Sequence, residues 1–257
     1  VQAVASGALA SGDTVVVNTD GTVSVIAGVD QAIGSAVVFE NADTRHCSVT
    51  YDINAQKVVI AYRDRGNSDY GTAIVGTVSD TSISFGSPTV FESATVPRIS
   101  ATYDANAQKV VIAYADSGNS SYGTAIVGTV SGTSISFGSA AVFESADTRY
   151  ISATYDANAQ KVVIAYSDDT NSEHGTAIVG TVSGTSISFG SAVVFESADT
   201  NYVSATYDSS AQKIVIAYND GGNSEHGTAI VGTVSGTSIS FGSAVVFESA
   251  SANHTSV

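Results

Sequence analysis

The chain of 257 residues carries 9 basic against 24 acidic residues, and the resulting charge of −15 excludes non-specific binding to nucleic acid or to an anionic membrane surface. A hydrophobic content of 43% excludes disorder. Strong helix formers are scarce, with one leucine (Leu9) and no methionine, whereas Val, Ile and Thr are abundant, so the composition excludes a helical protein and favours β-structure.

The N-terminal segment, residues 1–40, predicts two strands at 14–17 and 22–27, joined by a turn at 18–21. A third apolar stretch follows at 33–39. These three elements match the second, third and fourth strands of the unit that is repeated later in the chain. The segment therefore lacks only a first strand.

The rest of the chain repeats with a period of 52 residues, which is carried by phenylalanines at equal spacing: Phe39, Phe91, Phe143, Phe195 and Phe247. The two copies that begin at Phe143 and Phe195 differ at only eight positions. A fixed period of this length indicates that one supersecondary unit is repeated along the chain.

Each repeat predicts four strands, which in the third copy are residues 150–155, 161–166, 176–182 and 186–195. The second strand is almost continuously apolar, as expected when both of its faces are covered. The fourth strand alternates, so that its apolar side chains share one face.

Four short antiparallel strands in each repeat are typical of a β-propeller blade, whereas an immunoglobulin array needs about 100 residues for each unit. The sequence therefore predicts an all-β fold, a single five-bladed β-propeller over residues 1–257. Four blades are continuous. The fifth is composite, formed by residues 1–40 and 248–257, with the strand that starts at Asn253 completing the N-terminal segment. Closing the ring in this way removes the exposed sheet edges.

The differences between copies collect in the connections between blades and in the loops between the second and third strands, which lie on one face of such a ring; we call this the variable face. Its side chains combine flat apolar area with hydrogen-bonding ends, which suits recognition. Drift of loosely packed surface loops is the alternative. The candidate ligand-binding residues are Arg45, His46, Arg63, Arg65, Tyr70, Arg98, Tyr122, Arg149, Tyr150, His174, Asn201, Tyr202, His226 and His254.

Other motifs predict structure rather than chemistry. An Asp-x-x-Asn pattern recurs at Asp64, Asp116, Asp168 and Asp220, and an Asx-turn explains it more simply than a calcium site. Cys47 is the single cysteine, and we expect a small apolar filler on a strand. The recurring carboxylates stand in near-identical surroundings, so no acid and base pair is distinguished. We predict no catalytic residue, no metal and no cofactor.

The stretch Tyr-Asp-Ala-Asn-Ala-Gln-Lys-Val-Val-Ile-Ala-Tyr, followed by Gly-Thr-Ala-Ile-Val-Gly-Thr-Val-Ser-Gly-Thr-Ser-Ile-Ser-Phe-Gly, resembles repeats in tail-fibre and other virion proteins of marine bacteriophages. The N-terminal segment 8–23 is similar to segments of such proteins. The resemblance covers essentially the whole chain. It implies a role on the virion surface and carries over no catalytic residue.

These observations favour a non-enzymatic recognition module, a phage tail-fibre-like propeller that binds a host receptor or glycan in a virion or extracellular setting. Its expected partner is a host-surface glycan or receptor, or another virion protein, without nucleic acid or membrane insertion. The alternatives, in order, are a structural docking ring without a small ligand, a lectin-like bacterial secreted protein and a glycosidase.

Overall fold

The computed structural model describes residues 4–5, 7–8, 15–20, 22–25 and 34–252. They belong to two compact units, residues 1–35 and 36–257. The regular structure of the described residues is β-strand with four short 3₁₀ turns, so the predicted all-β class is confirmed. No helix in these ranges has the length and apolar character that a membrane crossing requires.

The N-terminal unit is a three-stranded sheet of β1 (Val4–Ala5), β2 (Val15–Val17) and β3 (Thr22–Val25), in the order β1-β3-β2. The predicted hairpin of β2 and β3 is confirmed, and its turn is held by Asp20, whose Oδ1 accepts from the Thr22 amide at 2.9 Å. The strand β1 pairs in parallel with β3, which the residue pattern did not predict.

The second unit contains four copies of the repeat, residues 44–95, 96–147, 148–199 and 200–251. Its first nine strands are β4 (Thr44–Asp52), β5 (Lys57–Asp64), β6 (Tyr70–Ser79), β7 (Ser82–Phe85), β8 (Thr89–Thr95), β9 (Ile99–Asp104), β10 (Lys109–Asp116), β11 (Tyr122–Ser131) and β12 (Ser134–Phe137). The remaining strands are β13 (Ala141–Asp156), β14 (Lys161–Asp168), β15 (His174–Ser183), β16 (Ser186–Phe189), β17 (Val193–Asp208), β18 (Lys213–Asp220), β19 (His226–Ser235), β20 (Ser238–Phe241) and β21 (Val245–Ser251). The 3₁₀ turns are Arg65–Asn67, Ser117–Asn119, Asp169–Asn171 and Gly221–Asn223.

Each predicted fourth strand is interrupted. In the third copy, β16 and the start of β17 pair with the same edge of β15 and are separated by residues 190–192. The Gly190 amide in this gap donates to the Val179 carbonyl at 2.9 Å. A Cβ at Gly190 would overlap the carbonyl oxygen of Thr237 in the next copy. The strand is interrupted here because the backbones of two neighbouring copies approach each other closely.

The predicted connections between blades are not loops in the later copies. The strands β13 and β17 each leave the edge of one sheet and continue as the first strand of the next. Between copies 1 and 2 the strand does break, because Pro97 has no amide hydrogen for the ladder and lies between β8 and β9.

The core lies between neighbouring copies. The second strands are buried on both faces, as predicted: the five side chains of residues 162–166 in β14 are all 0% exposed. At the junction of copies 2 and 3, the Phe143 ring lies 5.2 Å from the Tyr166 ring and 5.8 Å from the Phe189 ring. The Tyr166 hydroxyl donates to Glu144 Oε2 at 2.9 Å. Aliphatic and aromatic packing therefore joins each copy to the next.

The predicted strand at 33–39 is wrong for the part that the structure describes, since residues 34–40 lie outside any strand. A strand needs a backbone partner, and this stretch has none among the strands described. Phe39 nevertheless takes the expected packing position. Its ring lies 5.2 Å from that of Tyr62 and 5.9 Å from that of Phe85, as Phe91 does at the next junction.

The two outermost sheets of the second unit each expose an apolar face. Phe247 is 59% exposed, whereas Phe195 at the same repeat position is 8% exposed. Val49, Tyr51 and Val78 are exposed on copy 1. Within residues 34–252 the sheets do not close into a ring. The predicted C-terminal strand from Asn253 lies outside the described residues, so the composite blade stays a prediction.

Candidate functional site

The strand register brings the two kinds of variable segment to one end of the sheets. In copy 4, Thr200 at the start of the first strand pairs with Asp220 at the end of the second, and Asp220 pairs with His226 at the start of the third. The Thr200 amide also donates to the Glu173 carbonyl of the preceding copy at 3.0 Å. The variable face is thus one continuous end of the structure.

A cavity of about 560 Å³ opens on this face between the first strands of copies 1 to 3. Three of its lining residues, His46, Arg98 and Tyr150, occupy the same repeat position in successive copies. The complete lining is His46, Cys47, Pro97, Arg98, Ile99, Tyr150 and Ile151. One structural position therefore presents three different side chains to one space.

A β-bulge positions the His46 and Tyr150 side chains. The pairing of the first and second strands shifts between Arg149 and Ser152, and Tyr150 inside the shift has a φ of 49°. His46 and Tyr202 have φ values of 51° and 50° at the same repeat position. An extra residue in one strand bends it and redirects a side chain away from the alternating pattern. In copy 2, Pro97 ends the strand and Arg98 lies outside the ladder.

Tyr150 and Tyr202 form an aromatic wall beside the cavity. Their ring centroids are 5.1 Å apart and their planes are inclined by 56°. Partial desolvation, with the nearby Tyr202, raises the pKa of Tyr150. Its hydroxyl is therefore protonated at neutral pH and can both donate and accept a hydrogen bond.

Arg98 is the only arginine in the cavity lining. Its side chain is 31% exposed, its Nη1 donates to the Thr148 carbonyl at 3.2 Å, and its nearest carboxylate is Asp147 at 3.8 Å. Desolvation lowers the pKa of Arg98, but a guanidinium stays charged in proteins. Arg98 thus brings a fixed positive charge to the wall of the cavity.

His46, which belongs to copy 1, also lines the cavity. Desolvation, followed by the positive charges of Arg63, Arg98 and Arg45, lowers the pKa of His46. The imidazole is therefore neutral at pH 7 and offers one donor and one acceptor nitrogen.

The other candidate arginines of copy 1 lie outside the cavity lining, in ion pairs. Arg63 Nε contacts Asp69 Oδ1 at 2.8 Å, and Arg65 contacts Asp43 at 2.5 Å. Arg45 lies 3.6 Å from Asp43. These ion pairs hold the loop between the second and third strands of copy 1 against the start of the same copy.

Arg149 is also tied into an acidic cluster. Its Nη1 contacts Glu173 Oε1 at 2.8 Å and its Nη2 contacts Asp169 Oδ1 at 2.9 Å. It precedes Tyr150 but does not line the cavity. These two contacts tie the start of copy 3 to the loop between its second and third strands.

The remaining candidates that the structure describes lie on the same face and do not line the cavity. Asn201 donates to Asp199 Oδ1 at 3.0 Å, and His254 lies outside the described residues. Four half-buried side chains begin the third strands and are held in the ladder between the second and fourth strands: Tyr70, Tyr122, His174 and His226.

The prediction that Cys47 is a small apolar filler is wrong. Cys47 lies on β4 as expected, but it is exposed and lines the cavity instead of filling a core. The same position is Ile151 and Val203 in later copies, where a neighbouring copy buries the side chain. No preceding copy covers this position in the described part of copy 1. The recurrence of an apolar residue beside the variable position was the signal that could have assigned it to the lining.

The aspartate of the repeated Asp-x-x-Asn loop accepts a backbone hydrogen bond from its own loop in three of the four copies, in an Asx-turn in copies 2 and 3. Asp64 Oδ1 accepts from the Asn67 amide at 3.1 Å, Asp116 Oδ1 from the Gly118 amide at 2.9 Å, and Asp168 Oδ1 from the Thr170 amide at 3.1 Å. No group of three His, Cys, Asp or Glu side chains in the described ranges could hold a metal ion.

Asp168→Ala should lower the free energy of unfolding by about 1 kcal/mol, because Asp168 caps the Asp169–Asn171 turn. Asp220→Ala is the matched control, since Asp220 is buried to a similar extent but makes no side-chain cap hydrogen bond. Urea denaturation of both variants, with and without added CaCl₂, measures the difference. Equal losses, or a loss that depends on calcium, would contradict the Asx-turn interpretation.

No protein-family model matches the sequence, and no curated protein matches it. Among solved structures, the exo-β-1,3-galactanase of Phanerochaete chrysosporium in complex with β-1,3-galactotriose aligns with a TM-score of 0.52 at 10% identity, over 84% of this chain and 53% of that chain. The SapL1 lectin in complex with α-methyl fucoside aligns with a TM-score of 0.48 at 17% identity, over 79% of this chain and 65% of that chain. The chain spans about half the length of the galactanase structure, and that likeness shows the all-β fold alone.

Proposed function

We propose that this chain is a non-enzymatic recognition module that binds a glycan in the cavity of the variable face. The observation that carries the proposal is the diversification of one repeat position, as His46, Arg98 and Tyr150, around a single cavity. The surrounding framework is nearly identical from copy to copy. A constant scaffold that presents different side chains to one space is an arrangement suited to recognition.

The chemistry of the lining suits a saccharide. Ligand sites combine apolar walls with a few polar groups that fix orientation. Ile99 and Ile151 supply apolar wall, the Tyr150 ring supplies flat aromatic surface, and Arg98 and His46 supply hydrogen-bonding groups. A sugar ring offers the complementary combination of apolar C–H faces and hydroxyl edges.

The lining also supports binding rather than cleavage. Most glycosidases place two carboxyl groups on either side of the scissile bond. None of the described residues that line the cavity is Asp or Glu. The carboxylates of Asp169 and Glu173 on the same face are engaged in ion pairs with Arg149, and Asp147 lies 3.8 Å from Arg98.

The setting that we propose is the surface of a phage virion, as part of a tail fibre. The support is the resemblance of the repeats to those of tail-fibre proteins. Several copies of this chain in one fibre, each with one cavity, would gain affinity for a polymeric host glycan through avidity.

The architecture that we propose for this module is a closed five-bladed ring. The support is the exposed apolar faces of copies 1 and 4, because such faces are buried wherever one copy meets another. Phe39 already packs on Tyr62 in the way that Phe91 packs on Tyr114. Residues 1–40 and 248–257 supply the fifth, composite blade.

An array of immobilised neutral, uronate-containing and sulfated oligosaccharides tests the proposed function. We expect wild-type protein to bind at least one class, and Arg98→Gln and Tyr150→Ala each to lose at least tenfold in affinity. Arg65→Gln is the matched control, because Arg65 lies on the same face outside the cavity, and it should bind as wild type. Absence of binding to every saccharide, or equal binding by all three variants, would contradict the proposal.

A further inference from the structure

We infer that the saccharide bound in this cavity is anionic and that its carboxylate or sulfate group lies against Arg98. The inference rests on the proposed function and names the class of ligand for the same site. It follows from the contrast between the charge of the cavity lining and the charge of the chain.

The chain carries a net charge of −15, so an anion is repelled by most of its surface. The cavity is an exception. Its lining contains the charged Arg98 and the neutral His46 and, among the described residues, no carboxylate. A concave positive region on an acidic protein attracts anions there and directs them away from the rest of the surface.

Arg98 differs from Arg63 and Arg149 in its distance to the nearest carboxylate. Arg149 contacts two carboxylates at 2.8 and 2.9 Å, and Arg63 contacts one at 2.8 Å. Arg98 forms a longer ion pair, with 3.8 Å between its Nη1 and Asp147 Oδ1, a distance too long for a hydrogen bond. Its one hydrogen bond within the described chain goes from Nη1 to a backbone carbonyl. A guanidinium has five N–H donors, so most of the Arg98 fork is available to a ligand.

The position of Arg98 strengthens such a contact. Its side chain is about two-thirds covered, at 31% exposure, so solvent screens its charge less than it screens a surface arginine. A guanidinium binds a carboxylate or a sulfate through two parallel hydrogen bonds. The Tyr150 ring lines the same cavity and can cover one face of the sugar that carries the anionic group.

Isothermal titration with two matched pairs of trisaccharides tests the inference: trigalacturonate against its methyl ester, and a sulfated galactotriose against its desulfated form. Each pair differs in charge at a constant sugar backbone. We expect at least one anionic member to bind at least tenfold more tightly than its neutral counterpart. We expect Arg98→Gln to abolish that preference, Arg98→Lys to keep part of it, and Arg65→Gln to leave it unchanged.

The outcomes separate this inference from the proposed function. Equal affinity for charged and neutral members, or binding confined to neutral saccharides, overturns the inference while the glycan-binding proposal stands. A preference for the anion that survives in Arg98→Gln also overturns it. Failure of every saccharide on the array and in the titrations overturns the proposed function itself. Preference for the uronate or for the sulfate supports the inference in either case and identifies the group.

Discussion

Replacing Gly138 with alanine should lower the free energy of unfolding by about 3 kcal/mol, because the added methyl group has no space at the junction of two copies. A Cβ at Gly138 would overlap the carbonyl oxygen of Thr185 in the next copy. The obstacle is backbone and cannot rotate away. The Gly138 amide is meanwhile held by a hydrogen bond to the Val127 carbonyl at 2.9 Å, so the residue cannot retreat without breaking it.

Urea denaturation of Gly138→Ala measures this loss, and Ser139→Ala is the control on the adjacent exposed residue. The control should change the free energy of unfolding by less than about 0.5 kcal/mol. A loss in Gly138→Ala that is no larger than in the control would show that the copies are not packed as closely as the structure has them.

Phe143→Ala should be similarly costly, at about 3–5 kcal/mol, because it removes a buried aromatic ring and leaves a cavity. Phe143 is 7% exposed and packs against Tyr166 and Phe189 across the junction of copies 2 and 3. The same denaturation experiment measures the effect.

Phe247→Ala at the equivalent position of copy 4 tests the proposed ring. In the described residues Phe247 is exposed and its removal would cost less than about 1 kcal/mol. If the composite blade covers this face, the cost should approach that of Phe143→Ala. A small cost in Phe247→Ala beside a large cost in Phe143→Ala would contradict closure of the ring.

The periodicity predicted the all-β class and the second strands closely, because their side chains are apolar on both faces. The strand predicted at 161–166 is observed as Lys161–Asp168. The periodicity could not predict that β13 and β17 pass from one sheet to the next. A bulge adds a single residue to the pairing and leaves the apolar pattern almost unchanged. The backbone approach at Gly190 depends on the neighbouring copy and is likewise invisible in local sequence.

The sequence likewise predicts some features of the candidate site and misses others. Comparison of the copies indicated the face and the variable position of His46, Arg98 and Tyr150. It could not separate Arg98 from Arg149, since that difference depends on which carboxylates the fold brings near. Glu173, which neutralises Arg149, lies 24 residues further along the chain. The sequence predicts Cys47 as a small apolar filler on a strand, and its exposure depends on what covers copy 1.

The central claim, that the cavity lined by His46, Arg98 and Tyr150 is the binding site, can be tested through Cys47. This residue is the single cysteine of the chain, it is exposed and it lines the cavity. The measurement is the rate of Cys47 alkylation by iodoacetamide, with and without a saturating concentration of the saccharide that binds most tightly on the array. We predict that the saccharide slows alkylation at least tenfold in wild-type protein and slows it much less at the same concentration in Arg98→Gln. An unchanged rate while the saccharide is bound would contradict the assignment of the site to this cavity.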